Sequence, residues 1–197
     1  MLKALPSIIT LGNLFCGFLA IAYIADNNLL GAAILIFAGM IFDLFDGKVA
    51  RMTKGSSDFG AELDSLSDMI TFGVAPAFLV KVYIAQPPAN LHPRLAWGLC
   101  VLFVICAAIR LARFNIETEH DESSHQYFKG LATPAGAGVL ASMVLVSLVL
   151  TTKIITIILP IFYYKVIILI ATTIIAILMV SNVRYTHPGS TLTRKRK

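Results

Sequence analysis

Charge is scarce in this 197-residue chain: 14% of residues are Asp, Glu, Lys or Arg, against about a quarter in soluble domains. That scarcity excludes an ordinary soluble globule, because a domain of this size exposes too much surface to water to keep it so apolar. Cysteine is also rare. Cys16, Cys100 and Cys106 are odd in number and lie in apolar runs, which argues against a disulfide framework or a thiolate metal site. Long polar stretches are few, and no internal repeat is visible. The chain instead has hydrophobic residues at 57% and a mean hydropathy of +0.81, so most of it requires lipid as solvent.

Apolar segments fall at 5–25, 29–45, 63–85, 95–114, 133–150 and 161–183. A spanning helix needs about 20 mostly apolar residues, so the length predicts an all-α integral membrane protein of about six transmembrane helices. The whole chain, 1–197, then reads as a single transmembrane domain ending in a basic tail, 186–197. Thr151–Pro160 is apolar but broken by Lys153 and Pro160, which suits an interfacial piece or an extension of a neighbouring span. An even number of spans puts both termini on one side. Lys3, Lys48, Arg51, Lys54, Arg110, Arg113, Lys129, Arg184 and the run Arg194–Lys197 share that side, while Lys81, Arg94, Lys153 and Lys165 do not. The positive-inside rule makes the first side cytoplasmic. The net charge of +5 then points to anionic lipid headgroups, not to nucleic acid.

Four acids stand where lipid makes charge costly. Asp43 and Asp46 are i and i+3 at the end of the second segment; Asp64 and Asp68 are i and i+4 at the start of the third. Each pair therefore projects from one helix face, and a short connector makes the two helices antiparallel neighbours with both pairs at one depth. Four carboxylates in one partly dry pocket require counter-charge. With oxygen ligands and no His or Cys nearby, the natural counter-ions are Mg²⁺, Mn²⁺ or Ca²⁺, and four acids suffice for two ions of the kind that clamp a phosphoryl displacement. Gly47, Ala50 and Gly60 among the acids leave room for a phosphate or nucleotide to approach, although tight helix packing uses small residues in the same way.

These residues follow the pattern D-x-x-D-G-x-x-A-R, eight residues, then G-x-x-x-D-x-x-x-D, from Asp43 to Asp68, with every fixed position filled. In this the chain resembles the CDP-alcohol phosphotransferase family. The resemblance implies a homodimeric membrane enzyme that takes a CDP-linked lipid, transfers its substituted phosphate to an alcohol and releases CMP. It implies Asp43, Asp46, Asp64 and Asp68 as ligands of two divalent ions, with Asp68 also the general base. It places Gly47, Ala50 and Gly60 along the nucleotide and Arg51 at the diphosphate, where a planar cationic fork is apt.

Three further stretches resemble the membrane-embedded phosphatidylserine synthase branch: Pro6–Gly17; Ala112–Asn115 with Phe128–Pro134; and Val180–Tyr185. Ser7 stands where that branch often has Asn, and Ala132 where it usually has Pro. The branch implies CDP-diacylglycerol and L-serine as substrates at the cytoplasmic face of the cell membrane. Arg110, Arg113 and Lys129 are candidates for the serine carboxylate or a lipid phosphate, against ordinary snorkelling and anchoring. Thr10 and Asn13 are candidates for the cytidine, against a plain interhelical hydrogen bond. His120 and His125, among Glu117, Glu119, Asp121 and Glu122, read as a solvated loop.

Three rivals remain at this stage. The acceptor could be glycerol 3-phosphate or an inositol phosphate, which would favour a denser basic pocket. A prenyltransferase explains the acids but not Gly47, Ala50, Arg51 and Gly60. A divalent-cation transporter predicts acids near the midplane, reached from both sides.

Overall fold

A computed structural model describes residues 5–53, 58–87, 93–120, 127–150 and 161–186. The elements are α1 (Leu5–Ala25), α2 (Leu29–Thr53), α3 (Asp58–Asp68), a π-helical turn (Met69–Val74), α4 (Ala75–Ala85), α5 (Pro93–His120), β1 (Tyr127–Lys129), α6 (Thr133–Leu150), α7 (Ile161–Val180) and β2 (Arg184–Thr186). Backbone polar groups in hydrocarbon must be satisfied within their own segment, and helices do this. The all-α expectation holds, with one addition: β1 and β2 pair antiparallel over three residues each, Lys129 opposite Arg184.

Among the described residues, five stretches are long and apolar enough to cross a membrane: Pro6–Ala25, Leu29–Val49, Phe59–Ala85, Arg94–Ile116 and Phe162–Val180. Thr133–Val149, at the fifth of the six expected segments, is a shorter apolar helix. Segments read from hydropathy end near these limits, with one informative difference. The second was expected to stop at Phe45, yet α2 continues to Thr53, so Asp43 and Asp46 lie within an unbroken helix. Thr151–Pro160, Lys3, Lys54, His125 and the tail beyond Thr186 lie outside the described residues.

The turn between α1 and α2 shows why two such apolar helices separate cleanly. Asn27 adopts a left-handed φ of 62°, and the N–H groups of Asn27 and Asn28 reach back to the carbonyls of Ile24 and Tyr23 at 3.0 and 2.8 Å. That is the Schellman arrangement, which satisfies carbonyls at a helix end. Asn28 then caps α2, its Oδ1 accepting the Gly31 N–H at 3.0 Å. The span Phe59–Ala85 is less regular. Pro76, in the first turn of α4, has no N–H to give to a carbonyl one turn back. The ladder widens just before it: the Ala75 N–H bonds to the Ile70 carbonyl, a five-residue step.

Small and branched residues fill the interior, among them Ala33, Ile36, Phe72, Phe103, Leu140 and Ala176. Helix α1 packs along α2 and α3, α5 along α7, and α6 against α2. Outward faces carry Ile8, Phe15, Phe18, Ile34 and Ile177, all more than half exposed, as expected where the surrounding solvent is hydrocarbon.

Candidate active site

Helices α2 and α3 bring the acids together as their spacing predicts. One carboxylate oxygen from each of Asp43, Asp64 and Asp68 lies within 4.8 Å of the others. Asp43 and Asp64 are half-buried, whereas Asp46 and Asp68 are buried, at 5% and 7% exposure. Asp46 stands just outside the triplet but within electrostatic reach of all three. Thr10 and its own helix's Gly47 N–H are polar neighbours of its carboxylate. Two ionised carboxylates at such a separation repel by about 3 kcal/mol at an effective dielectric of 20, so three or four demand opposite charge.

Two features show what kind of charge fits. The buried oxygens Asp46 Oδ2 and Asp64 Oδ1 have no hydrogen-bond partner among the described residues. The donor set consists of carboxylate oxygens alone, which suits a hard divalent cation. An orphaned buried carboxylate oxygen is costly, and a cation among these acids satisfies it.

Arg110, on α5, lies within electrostatic reach of Asp43 and Asp68 and donates from Nη1 to Thr133 Oγ1 at 3.0 Å. Thr133 is fully buried at the start of α6, so it ties the arginine to a fixed point beside the acids. The sequence includes it in the Phe128–Pro134 stretch but gives it no role of its own. Arg113 points elsewhere. It donates to Asn182 Oδ1 at 2.6 Å and to the Val180 carbonyl at 3.5 Å, closing the end of α7.

The middle and C-terminal stretches that carried the resemblance prove to be one structural unit. Gly130 N–H bonds to the Val183 carbonyl at 3.0 Å, and Leu131 N–H to the Leu178 carbonyl at 3.1 Å. Gly130 has φ 79°, and a Cβ there would stand 2.3 Å from the Met179 carbonyl oxygen. Glycine is therefore required by both conformation and space. Lys129 is in β1, and Ala50 and Arg51 are in α2, on the same helix as the first acid pair.

On α1, Asn13 is fully buried and donates from Nδ2 to Asp68 Oδ1 at 3.1 Å, while the Thr10 hydroxyl donates to the Pro6 carbonyl at 3.0 Å. Both face the acids from the first helix, as a residue near the reacting groups must. Ser65 and Asn115 add a second polar link between α3 and α5, exchanging hydrogen bonds at 3.1 and 2.9 Å one residue from Asp64. Gly47 differs from the glycines buried between helices: among the described residues, a Cβ built on it meets nothing within 4 Å.

The family model for CDP-alcohol phosphatidyltransferases matches residues 3–180. The chain belongs to this family. Among curated members it is similar to the CDP-diacylglycerol–serine O-phosphatidyltransferase of Bacillus subtilis, with 37% identity over 184 residues, 93% of this chain and 90% of that protein. Proteins of the same name from Helicobacter pylori and Methanocaldococcus jannaschii are 39% and 43% identical over 140 and 129 residues. Those alignments cover 71% and 66% of this chain but only 56% and 54% of the two relatives, which are longer.

Proposed function

We propose that this chain transfers the phosphatidyl group of CDP-diacylglycerol to the hydroxyl of L-serine, giving phosphatidylserine and CMP. The observation that carries the reading is the convergence of Asp43, Asp64 and Asp68 within 4.8 Å at family signature positions, in a chain whose relatives bear that activity by name.

In this reading Asp43, Asp46, Asp64 and Asp68 hold two divalent cations, Mg²⁺ or Mn²⁺ with Ca²⁺ as a third candidate, and Asp68 is the base. When bound, such ions offset the diphosphate charge and stabilise departing CMP. The serine oxygen forms a bond to the lipid-linked phosphorus as the anhydride bond breaks, and the bridging oxygen leaves with CMP. The hydroxyl proton passes to the Asp68 carboxylate. Asn13 holds that carboxylate by one oxygen, which leaves the other for proton transfer.

Open space at Gly47 supports a nucleotide seat there, with Ala50, Gly60 and Thr10 around it and Arg51 at the diphosphate. Arg110 is the strongest candidate for the serine carboxylate, because Thr133 fixes it beside Asp43 and Asp68. Arg113 and Lys129 support the same side, Arg113 by holding the end of α7 and Lys129 from β1. The positive-inside distribution supports a site at the cytoplasmic face of the cell membrane, and the family resemblance supports a homodimer.

Purified protein in detergent with CDP-diacylglycerol tests the reading. CMP release is expected to require serine, to stop with EDTA and to return with excess Mn²⁺ or Mg²⁺. CMP release driven by glycerol 3-phosphate or an inositol phosphate and indifferent to serine would overturn the acceptor. Metal flux in proteoliposomes without CMP formation would overturn the enzyme reading.

A further inference from the structure

The span that carries Asp64 and Asp68 leaves α-geometry immediately after Asp68, for the six residues Met69–Val74. Pro76 accounts for a change of ladder nearby, but not for where the change sends Thr71. A π turn adds a residue to the turn and pushes part of it outward. Here the displaced part enters the crevice between α1 and α2. Thr71 is fully buried there, and glycines form the walls. A Cβ at Gly17 would stand 2.3 Å from Thr71 Oγ1 and 2.8 Å from its Cα. At Gly39, one turn before Asp43, it would stand 2.5 Å from Thr71 Cγ2 and 3.0 Å from Asn13 Oδ1.

Thr71 does more than fill this crevice. Its hydroxyl donates to the Asn13 carbonyl at 3.0 Å, and the Asn13 amide donates to Asp68 at 3.1 Å. Asp68 and Thr71 thus meet the same α1 residue, one at its side chain and the other at its backbone, on either side of the change in helical geometry. Valine would match the shape of threonine closely. What it lacks is the bond to the residue that holds Asp68.

We propose that Thr71 is a positioning residue for Asp68: seated by the π turn between Gly17 and Gly39, it fixes Asn13, and Asn13 fixes the carboxylate against Asp43 and Asp64. The proposal rests on the reading of Asp68 as base and cation ligand. The bond of the Thr71 hydroxyl is to Asn13, not to an acid. Its effect belongs in turnover and cation dependence, not in substrate affinity.

The test uses the full chain in detergent, comparing Thr71→Val, Thr71→Ser, Thr71→Ala, Asn13→Ala and the Val/Ala double variant. Thr71→Val is expected to lower kcat about tenfold and raise the half-saturating Mn²⁺ concentration, with KM for both substrates within about twofold, since misplacing a reacting group by 1 Å costs up to about a hundredfold. Thr71→Ser is expected to restore kcat. In the Asn13→Ala background, Thr71→Val is expected to have little further effect, because both changes act through one contact. Wild-type kcat and cation dependence in Thr71→Val would overturn the proposal, as would undiminished loss in the Asn13→Ala background. If Thr71→Val fails to fold, Thr71→Ser and Thr71→Ala decide: equal kcat in the two overturns it, and a loss confined to Ala supports it. A wild-type chain without serine-dependent CMP release removes the functional reading and this proposal together, whereas an active wild type with an indifferent Thr71→Val removes only the proposal.

Discussion

Replacing Gly47 by alanine separates a glycine kept for a ligand from one kept for packing. Among the described residues the added methyl has room, since none lies within 4 Å of it, in contrast to 2.3 Å at Gly17 and 2.5 Å at Gly39. Gly47 lies inside the 25-residue helix α2, where alanine is favoured over glycine by about 0.5–1 kcal/mol. For a chain of this size such a gain corresponds to a Tm rise of about 1–4 °C. If the donor nucleotide seats against Gly47, the same methyl displaces it by more than 1 Å, a misplacement that costs on the order of a hundredfold. The expected result is unchanged or raised Tm together with about a hundredfold loss of kcat/KM for CDP-diacylglycerol. Intrinsic fluorescence of Trp97, the single tryptophan, follows unfolding in detergent, and CMP release follows activity. Full activity in Gly47→Ala would refute the nucleotide seat. A fall in Tm that accounts for the lost activity would refute the claim that the space is open.

Asp68→Asn is expected to lower turnover by about 10²–10⁴, the usual range for a general base, while most CDP-lipid binding persists; near-normal CMP release would remove the base assignment. Gly130→Ala is expected to lower Tm by several degrees. Its φ of 79° costs an alanine about 1–2 kcal/mol, and the Cβ at 2.3 Å from the Met179 carbonyl forces the loop off α7. An unchanged melting curve would show that this junction does not bear on stability.

The helical bundle was legible because lipid imposes one rule on every segment: about 20 apolar residues with their backbone groups satisfied internally. The acid cluster was legible for the same reason, since charge is conspicuous where it is expensive. Other features were not. The π turn leaves no mark in hydropathy, because Met69–Val74 is as apolar as the α-helix that follows. A proline at position 76 disturbs the ladder of its own helix, but the consequence depends on the crevice that Gly17 and Gly39 open on other helices. Arg110 and Arg113 are one turn apart and look alike in the sequence. Their separate bonds, one to Thr133 and the other to Asn182 and Val180, depend on where α6 begins and α7 ends. Likewise, the Phe128–Pro134 and Val180–Tyr185 stretches looked like separate signatures until β1 and β2 joined them.

The arrangement around Asp68 explains why its span is irregular at that depth. A straight α-helix would present Thr71 less than one turn beyond Asp68, with side chains fixed by the 3.6-residue period. Widening the turn lets Asp68 face α2 and its acids while Thr71 still reaches α1, where its hydroxyl finds the Asn13 carbonyl. The cluster is then held from two neighbouring helices. Asn13 fixes Asp68 from α1, Thr10 neighbours Asp46 from the same helix, and Arg110 approaches Asp43 and Asp68 from α5, anchored on Thr133. Like charges gathered in a poorly solvated site would push their helices apart unless each carboxylate were constrained by a neighbour. Placing those constraints on separate helices keeps the acids converged before any cation or diphosphate arrives, so that binding need not reorganise them.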